Sequence, residues 1–565
     1  MRKGTVVTTA RRHSFFRLAP WFCLALALIG GSLQAAEAEV ADEPAALGRY
    51  PYLRDLFPYG FWLADAPHTE RLAQALGETY EARRAKLFED LARHHVNAIL
   101  PANRAALPAY LDAAWEYGLR VATMPLYLGH HVDHAGNIRD KDLEWVKSRW
   151  GGHAGHIKSH PALLGYHVFD EPHPLVTPKI RDITDFLRQV DPTHPAFYTQ
   201  QNMPLGNKDW MDEWRLIESL DVLLSDCYCI QQATGRDPWL YGDVTVSELR
   251  RPNPEALNWP IIQAFAYSQW PTLPELRIMV YHTIAHGAKG MFFFTANQSY
   301  VSWATDLGFY DGAGNPWFGK EPLLEEIGRI GEHLTTAGPL LLPLRYAPDY
   351  RAGVGPPNSP TGAPETFDAY VYGVLRPAGA LRLPAIHVGA FTGAAYDVLV
   401  VHNDDPWRAH SASVTLGAER QRVLDLATLE LVHLTRGRLG NSFEVAMEPG
   451  DGRLYLAGDD AAVDAARAAV LGRRHDHAAR MLRLDTEHAA RCGVDTTATS
   501  ALLERSARAA ADGDPGTAGE VLELAQTSLA QAEAGSPDYS TVRDAIESAR
   551  RDFNSVDTWF AHAPI

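Results

Sequence analysis

Between His160 and Pro172 the chain is largely apolar until it meets two adjacent acids, Asp170 and Glu171. Leu164–Phe169 reads as a strand, and Pro172 stops it, so the acids fall at the strand's end. Two neighbouring carboxyls do not ionise equally. One keeps its charge while the pKa of the other rises, and such a pair can move protons at neutral pH. A third acid, Asp226, follows the apolar run Val222–Ser225, and Asp306 and Asp311 come later. Polar and aromatic residues recur at or just after the ends of similar runs. They are Trp62, Asn103, Tyr127, Tyr198, Gln200, Gln201, Asn202, Tyr228, Gln263, Asn297, Gln298 and Trp303. Amides hydrogen-bond hydroxyls and rings cover C–H faces, which is the chemistry of sugar binding. We take Trp62, Asn103, Tyr198, Gln200, Asn202, Tyr228, Gln263, Asn297 and Trp303 as candidate substrate contacts, and Glu171, Asp170 and Asp226 as candidate catalytic groups. Histidines gather at His130, His131, His134, His153, His156 and His160. No glutamate is interleaved among them in an H-E-x-x-H pattern, so they read as a solvated loop, and no metal site or cofactor is expected.

Eight short apolar runs must position these residues. They are Tyr59–Leu63, Ala98–Pro101, Arg120–Met124, Leu164–Phe169, Ala196–Thr199, Val222–Ser225, Pro260–Phe265 and Gly290–Thr295. Helical patterns alternate with them, at Ala82–His94, Leu107–Tyr117, Thr177–Val190 and Leu273–Gly287. Near-continuous apolar strands separated by helices imply a parallel sheet buried on both faces. Eight such units predict a (β/α)8 TIM barrel over 50–345, of the α/β class, with its site at the C-terminal ends of the strands. A doubly wound sheet is disfavoured because no glycine-rich phosphate loop follows the first run. Short strands at Phe367–Leu375, Tyr396–His402, Ala412–Leu416, Arg422–Leu426 and Leu454–Leu456 predict an antiparallel β-sandwich over 346–458. The remainder, 459–565, is rich in Ala, Arg, Leu and Glu and predicts a helical region.

Residues 1–36 read as a signal peptide. Arg2, Lys3, Arg11, Arg12 and Arg17 precede an apolar run from Leu18 to Ile29, and small residues follow to Ala36. That run is short for a membrane span, so export to the periplasm or the extracellular space is expected, without a membrane anchor. Loss of the five cations takes the formal charge from -17 to -22. So acidic a chain, with no basic face, argues against nucleic acid as a partner. Cys227 and Cys229 lie two apart in one apolar run, which is poor geometry for a mutual disulfide. Nothing in the sequence sets the oligomeric state.

The stretch from Leu164 to Pro172 resembles the end of strand 4 in clan A TIM-barrel glycoside hydrolases. Trp259 to Thr295 resembles the last two strands of such enzymes, and Asp425–Thr428 and Pro449–Gly452 resemble the β-domain often appended to them. The resemblance covers roughly 56–458. It implies an exported enzyme that cleaves glycosidic bonds in a poly- or oligosaccharide, with Glu171 as general acid/base. One departure matters. The clan places its nucleophile, a Glu, at the end of strand 7, where this chain reads Gln263 to Gln269 without an acid. Asp226, Asp306 or Asp311 could take that part. Two other readings remain: a carbohydrate-binding protein on a degenerate barrel, and a metal-dependent hydrolase using the histidine cluster.

Overall fold

The structure is a computed structural model. It describes residues 44–63, 77–101, 108–124, 138–171, 176–200, 220–231, 235–239, 246–250, 253–266, 269–296, 306–307, 320–347, 353–355, 385–416, 420–437 and 440–536, with a few single positions between and after them. Eight strands close into a barrel: β1 (Tyr59–Leu63), β2 (Ala98–Pro101), β3 (Arg120–Thr123), β4 (Leu163–Asp170), β5 (Ala196–Gln200), β6 (Val222–Asp226), β7 (Leu257–Gln263) and β8 (Met291–Phe294). Each pairs in parallel with its sequence neighbours, and β8 closes on β1. Helices α1 (Tyr80–Arg93), α2 (Pro108–Glu116), α3 (Asp140–Ile157), α4 (Thr177–Val190), α5 (Leu273–Ala285) and α6 (Glu321–Ala337) follow strands 1, 2, 3, 4, 7 and 8. This is the (β/α)8 barrel that the alternation of apolar runs predicts.

Strand register separates the two faces of the barrel wall. Tyr59 donates through its hydroxyl to Ile327 O on α6 (2.7 Å), and Tyr166 donates to Asp191 (2.7 Å) behind β4, so these residues face the helices. Alternation then turns Trp62, His167, Phe197, Trp259 and Phe292 inward. Their ring contacts across the barrel agree: Trp62–His167 at 5.2 Å, Phe197–Trp259 at 5.6 Å and Trp259–Phe292 at 6.3 Å.

The β-domain is a sandwich of two antiparallel sheets. One orders Arg345–Tyr346, Ile386–Thr392, Tyr396–Asn403, Gly452–Gly458 and Arg422–Asp425. The other orders Gly353–Gly355, His410–Leu416, Gly440–Met447 and Thr435–Gly437. The expected strand Phe367–Leu375 lies outside the described residues. Along Tyr396–Asn403, Leu399 and Val401 pack between the two sheets, while Val398 and Val400 join the barrel's core cluster. That sheet is therefore buried on both faces, which is why its sequence is apolar without alternation. It rests on α5, itself buried nearly all round and started by a capping box between Thr272 and Glu275. The contact is close: a Cβ on Gly389 would stand 2.2 Å from Ala285 O.

Three helices end the described chain: α7 (Asp460–Arg491), α8 (Thr497–Ala511) and α9 (Pro515–Ala534). Val463, Ala466 and Val470 of α7 join the barrel's core cluster. Leu482 and Ala489, further along, pack with Leu503, Leu522 and Leu529 as a separate cluster. Among the described residues no helix is long and apolar enough to cross a membrane.

Candidate active site

The C-terminal end of the barrel gathers three carboxyls. The register between β4 and β5 slips between His167 and Asp170, so that Asp170 pairs with Thr199. The Thr199 hydroxyl hydrogen-bonds the Asp170 carboxyl and also lies 2.8 Å from His167 Nε2. Burial and the adjacent Glu171 charge push the Asp170 pKa up to about 7, partly opposed by Thr199. His167 is fully buried, and that burial lowers its pKa to about 3, so it is neutral in the working range.

Glu171 follows directly. Its backbone is left-handed, with φ +45°, and its N–H donates to Thr199 O at 3.1 Å. A left-handed non-glycine residue costs roughly 1–2 kcal/mol and persists where its surroundings impose it, often at functional sites. The side chain is exposed and hydrogen-bonds the carboxyl of Asp226. Asp226, last residue of β6, is only 4% exposed. Burial holds its pKa well above the ordinary carboxylate range, and the charges of Glu171 and Asp170 add to the effect. A hydrogen bond from Tyr228 partly opposes this. Burial and the neighbouring charge thus favour the protonated form of Asp226, which can donate to Glu171.

Aromatic rings collar the carboxyls. Tyr228 packs edge-on to Phe265 (4.8 Å) and against Phe294 (5.7 Å), and Trp62 lies 6.0 Å from Phe294. Of the residues singled out from the sequence, Glu171, Asp170, Asp226, Tyr228 and Trp62 come together here. His167, Thr199, Phe265 and Phe294 were not chosen as site residues. Thr199 could have been found from its place at the end of the expected strand Ala196–Thr199.

Three candidate contacts lie in the barrel wall. Gln263 stands at the end of β7 and is fully buried with its amide committed to backbone. It accepts from Ile230 N (2.8 Å) and donates to Ile230 O (3.0 Å) and Phe265 O (3.2 Å). It fastens the segment after β6, with both N–H donors of its amide committed to backbone oxygens. Tyr198 and Gln200 alternate with Thr199 along β5, so they fall on the outer face of the barrel wall, and both are buried. Asn103, Asn202, Asn297 and Trp303 lie outside the described residues, as do Tyr127, Gln201, Gln298 and Asp311. For Asp306 the backbone is described: Asp306–Leu307 pairs antiparallel with Phe265–Ala266, immediately beyond β7. Of the histidine cluster, His160 accepts from Ala162 N (3.1 Å) and contacts Asp112 (3.0 Å), while burial lowers the His153 pKa to about 4. His130, His131 and His134 lie outside the described residues.

No protein-family model and no curated protein matches the sequence. Solved structures do. A beta-galactosidase from Bacillus circulans sp. alkalophilus matches at 9% identity and a TM-score of 0.47, over 71% of this chain and 99% of that one. A glycoside hydrolase family 5 protein from Bacteroides vulgatus matches at 11% identity and a TM-score of 0.42, over 67% and 86%. A beta-galactosidase from the psychrophilic Marinomonas ef1 matches at 11% identity and a TM-score of 0.36, over 45% of this chain and 57% of that one. The fold itself, read from its strand pairing, is a closed (β/α)8 barrel with an appended β-sandwich.

Proposed function

We propose that the protein is an exported glycoside hydrolase-like enzyme that cleaves glycosidic bonds in a poly- or oligosaccharide, with Glu171 as the general acid. The observation that carries this reading is the carboxyl trio at the barrel's C-terminal end, in which an exposed Glu171 hydrogen-bonds a buried Asp226. Two carboxyls that flank a glycosidic bond stand about 5–5.5 Å apart in retaining enzymes and about 6.5–9.5 Å apart in inverting ones. A directly hydrogen-bonded pair is too close to hold a sugar between its members. Glu171 and Asp226 therefore act from one side as a single proton-donating unit. The proton passes from Asp226 to Glu171 and on to the leaving glycosidic oxygen as the C–O bond breaks; water then adds to the anomeric carbon and gives a proton back to the carboxylate pair. Asp170, which ionises near neutral pH, supplies negative charge beside the developing oxocarbenium ion. Trp62 and Tyr228 offer ring faces to the sugar.

Export rests on the charged, apolar and small-residue pattern of residues 1–36. Amino-terminal sequencing of secreted material should find a start just after Ala36, and retention of the leader would contradict export. A second reading, a carbohydrate-binding protein without turnover, draws on the uncharged Gln263 where the clan carries its nucleophile. Turnover on a broad panel of natural and aryl glycosides separates the two. Hydrolysis of at least one class supports the enzyme, and saturable glycan binding without hydrolysis supports the alternative.

A further inference from the structure

A second cluster of functional side chains lies where the barrel meets the sandwich. His282 comes from the last turn of α5, His387 and His402 from adjacent strands of the sandwich, and Asp404 from just past His402. His387 and His402 are direct cross-strand partners in the ladder, so their side chains leave the same face of the sheet. His402 and Asp404 are two apart, and α5 brings His282 down onto them.

The four side chains converge on a small volume. Asp404 Oδ1 is 3.1 Å from His282 Nδ1 and 3.1 Å from His402 Nδ1, and Asp404 Oδ2 is 3.3 Å from His387 Nε2. The ring centroids stand 5.2 Å (His282–His402), 5.8 Å (His387–His402) and 6.4 Å (His282–His387) apart. Donor atoms of His282, His402 and Asp404 all lie within 4.8 Å of one another. These three residues are almost wholly buried, at 1%, 0% and 2% exposure. His387 is partly open, which leaves a way in from solvent.

Tetrahedral zinc holds His nitrogen and carboxylate oxygen at about 2.0–2.2 Å, so its ligand atoms stand ~3.4 Å from one another. The separations to Asp404 match that edge. Three imidazoles and one carboxylate suit zinc and neighbouring divalent transition metals. Calcium and magnesium prefer all-oxygen shells. His286 also lies against His282 with its ring tilted (4.2 Å between centroids), but its Nδ1 lies 2.7 Å from His282 O, a hydrogen bond to the backbone. Trp239 Nε1 donates to Asp404 O (3.2 Å) and Asp404 N to Ala385 O (2.8 Å), which hold the Asp404 backbone in place.

The geometry points to a structural zinc-type site formed by His282, His402 and Asp404 that clamps the β-sandwich to the barrel, and His387, which lies outside that trio against Asp404 Oδ2, turns in as the fourth ligand on binding. Once His387 turns in, four protein ligands close the site, so its role is structural. It does not depend on the glycosidase reading. The histidine cluster weighed from the sequence, His130 to His160, is a different one. The signal that was available is the pairing of His402 and Asp404 at spacing two after an apolar strand.

The test uses the full-length protein stripped with chelator and then titrated with Zn2+ alone. One equivalent should bind tightly, survive gel filtration and raise Tm, and Co2+ in its place should give the intense visible bands of a tetrahedral ion. His402→Gln should weaken zinc binding by more than the roughly 10–100-fold that follows loss of a hydrogen bond behind a ligand. If His402→Gln does not fold, His387→Ala, on the partly exposed ligand, should still weaken binding while leaving Tm in chelator unchanged. Failure of the wild-type protein to bind one equivalent would overturn the site, as would binding that neither variant affects.

Discussion

Burial and the neighbouring charge of Glu171 oppose ionisation of both Asp170 and Asp226. Asp170 binds its proton more tightly folded than unfolded, with a pKa of about 7 against an ordinary 3.8. Its contribution to stability is complete below pH 4 and is lost as pH rises through 7. At about 1.4 kcal/mol per unit the full effect is on the order of 4 kcal/mol, less what residual solvent access removes. Denaturation followed across this window should show stability falling toward pH 8, with Asp170→Asn flattening the slope. An unchanged slope in the variant would assign it to another group. Gln263→Glu should not restore a nucleophile. A buried carboxylate cannot donate to Ile230 O and Phe265 O, so urea melts should show a loss of about 2–5 kcal/mol. A variant as stable as the wild type would show that the amide bonds matter little. The acids were legible because charge at the end of an apolar run stands out. The backbone bonds of Gln263 were not legible, because its partner Ile230 lies 33 residues away in the chain and is met only after folding. The outward placement of Tyr198 and Gln200 was not legible, because local sequence does not reveal the phase of alternation along β5.

At the scale of elements, most barrel strands fall within a residue or two of their apolar runs, since burial on both faces leaves an unbroken signal. β7 is the exception, running Leu257–Gln263 where Pro260–Phe265 was expected. Asn258 is polar yet 1% exposed, and it pairs with Leu223, so the strand starts before its apolar run. In the sandwich, Ile386–Thr392 and Gly440–Met447 were missed because Gly389, Asn441 and Ser442 look like turn chemistry. Gly389 is instead a point of close approach to α5. Gly389→Val should destabilise the protein by about 1–3 kcal/mol, because its side chain would press on Ala285 O and separate the sandwich from α5. Calorimetry should show the lower Tm, and an unchanged Tm would mean that the interface yields.

For the whole molecule, the two halves of α7 have different loyalties. Deleting the chain from residue 493 removes α8 and α9 but leaves Val463, Ala466 and Val470 on the barrel. That truncate should stay soluble enough to assay and keep the specific activity of the full chain. Deletion from residue 460 strips apolar cover from the main core and should sharply lower soluble yield. A folded 493 truncate that binds glycan normally without turnover would move the site into the tail. The central claim is that Glu171 delivers the proton, and it is tested by the kcat of Glu171→Gln on whichever natural glycoside the panel shows to be cleaved. General acid catalysis is worth about 10²–10⁴-fold, so kcat should fall by that factor with KM little changed. The loss should be smaller on aryl glycosides whose leaving groups need less protonation. Wild-type turnover by Glu171→Gln on the natural substrate would contradict the account.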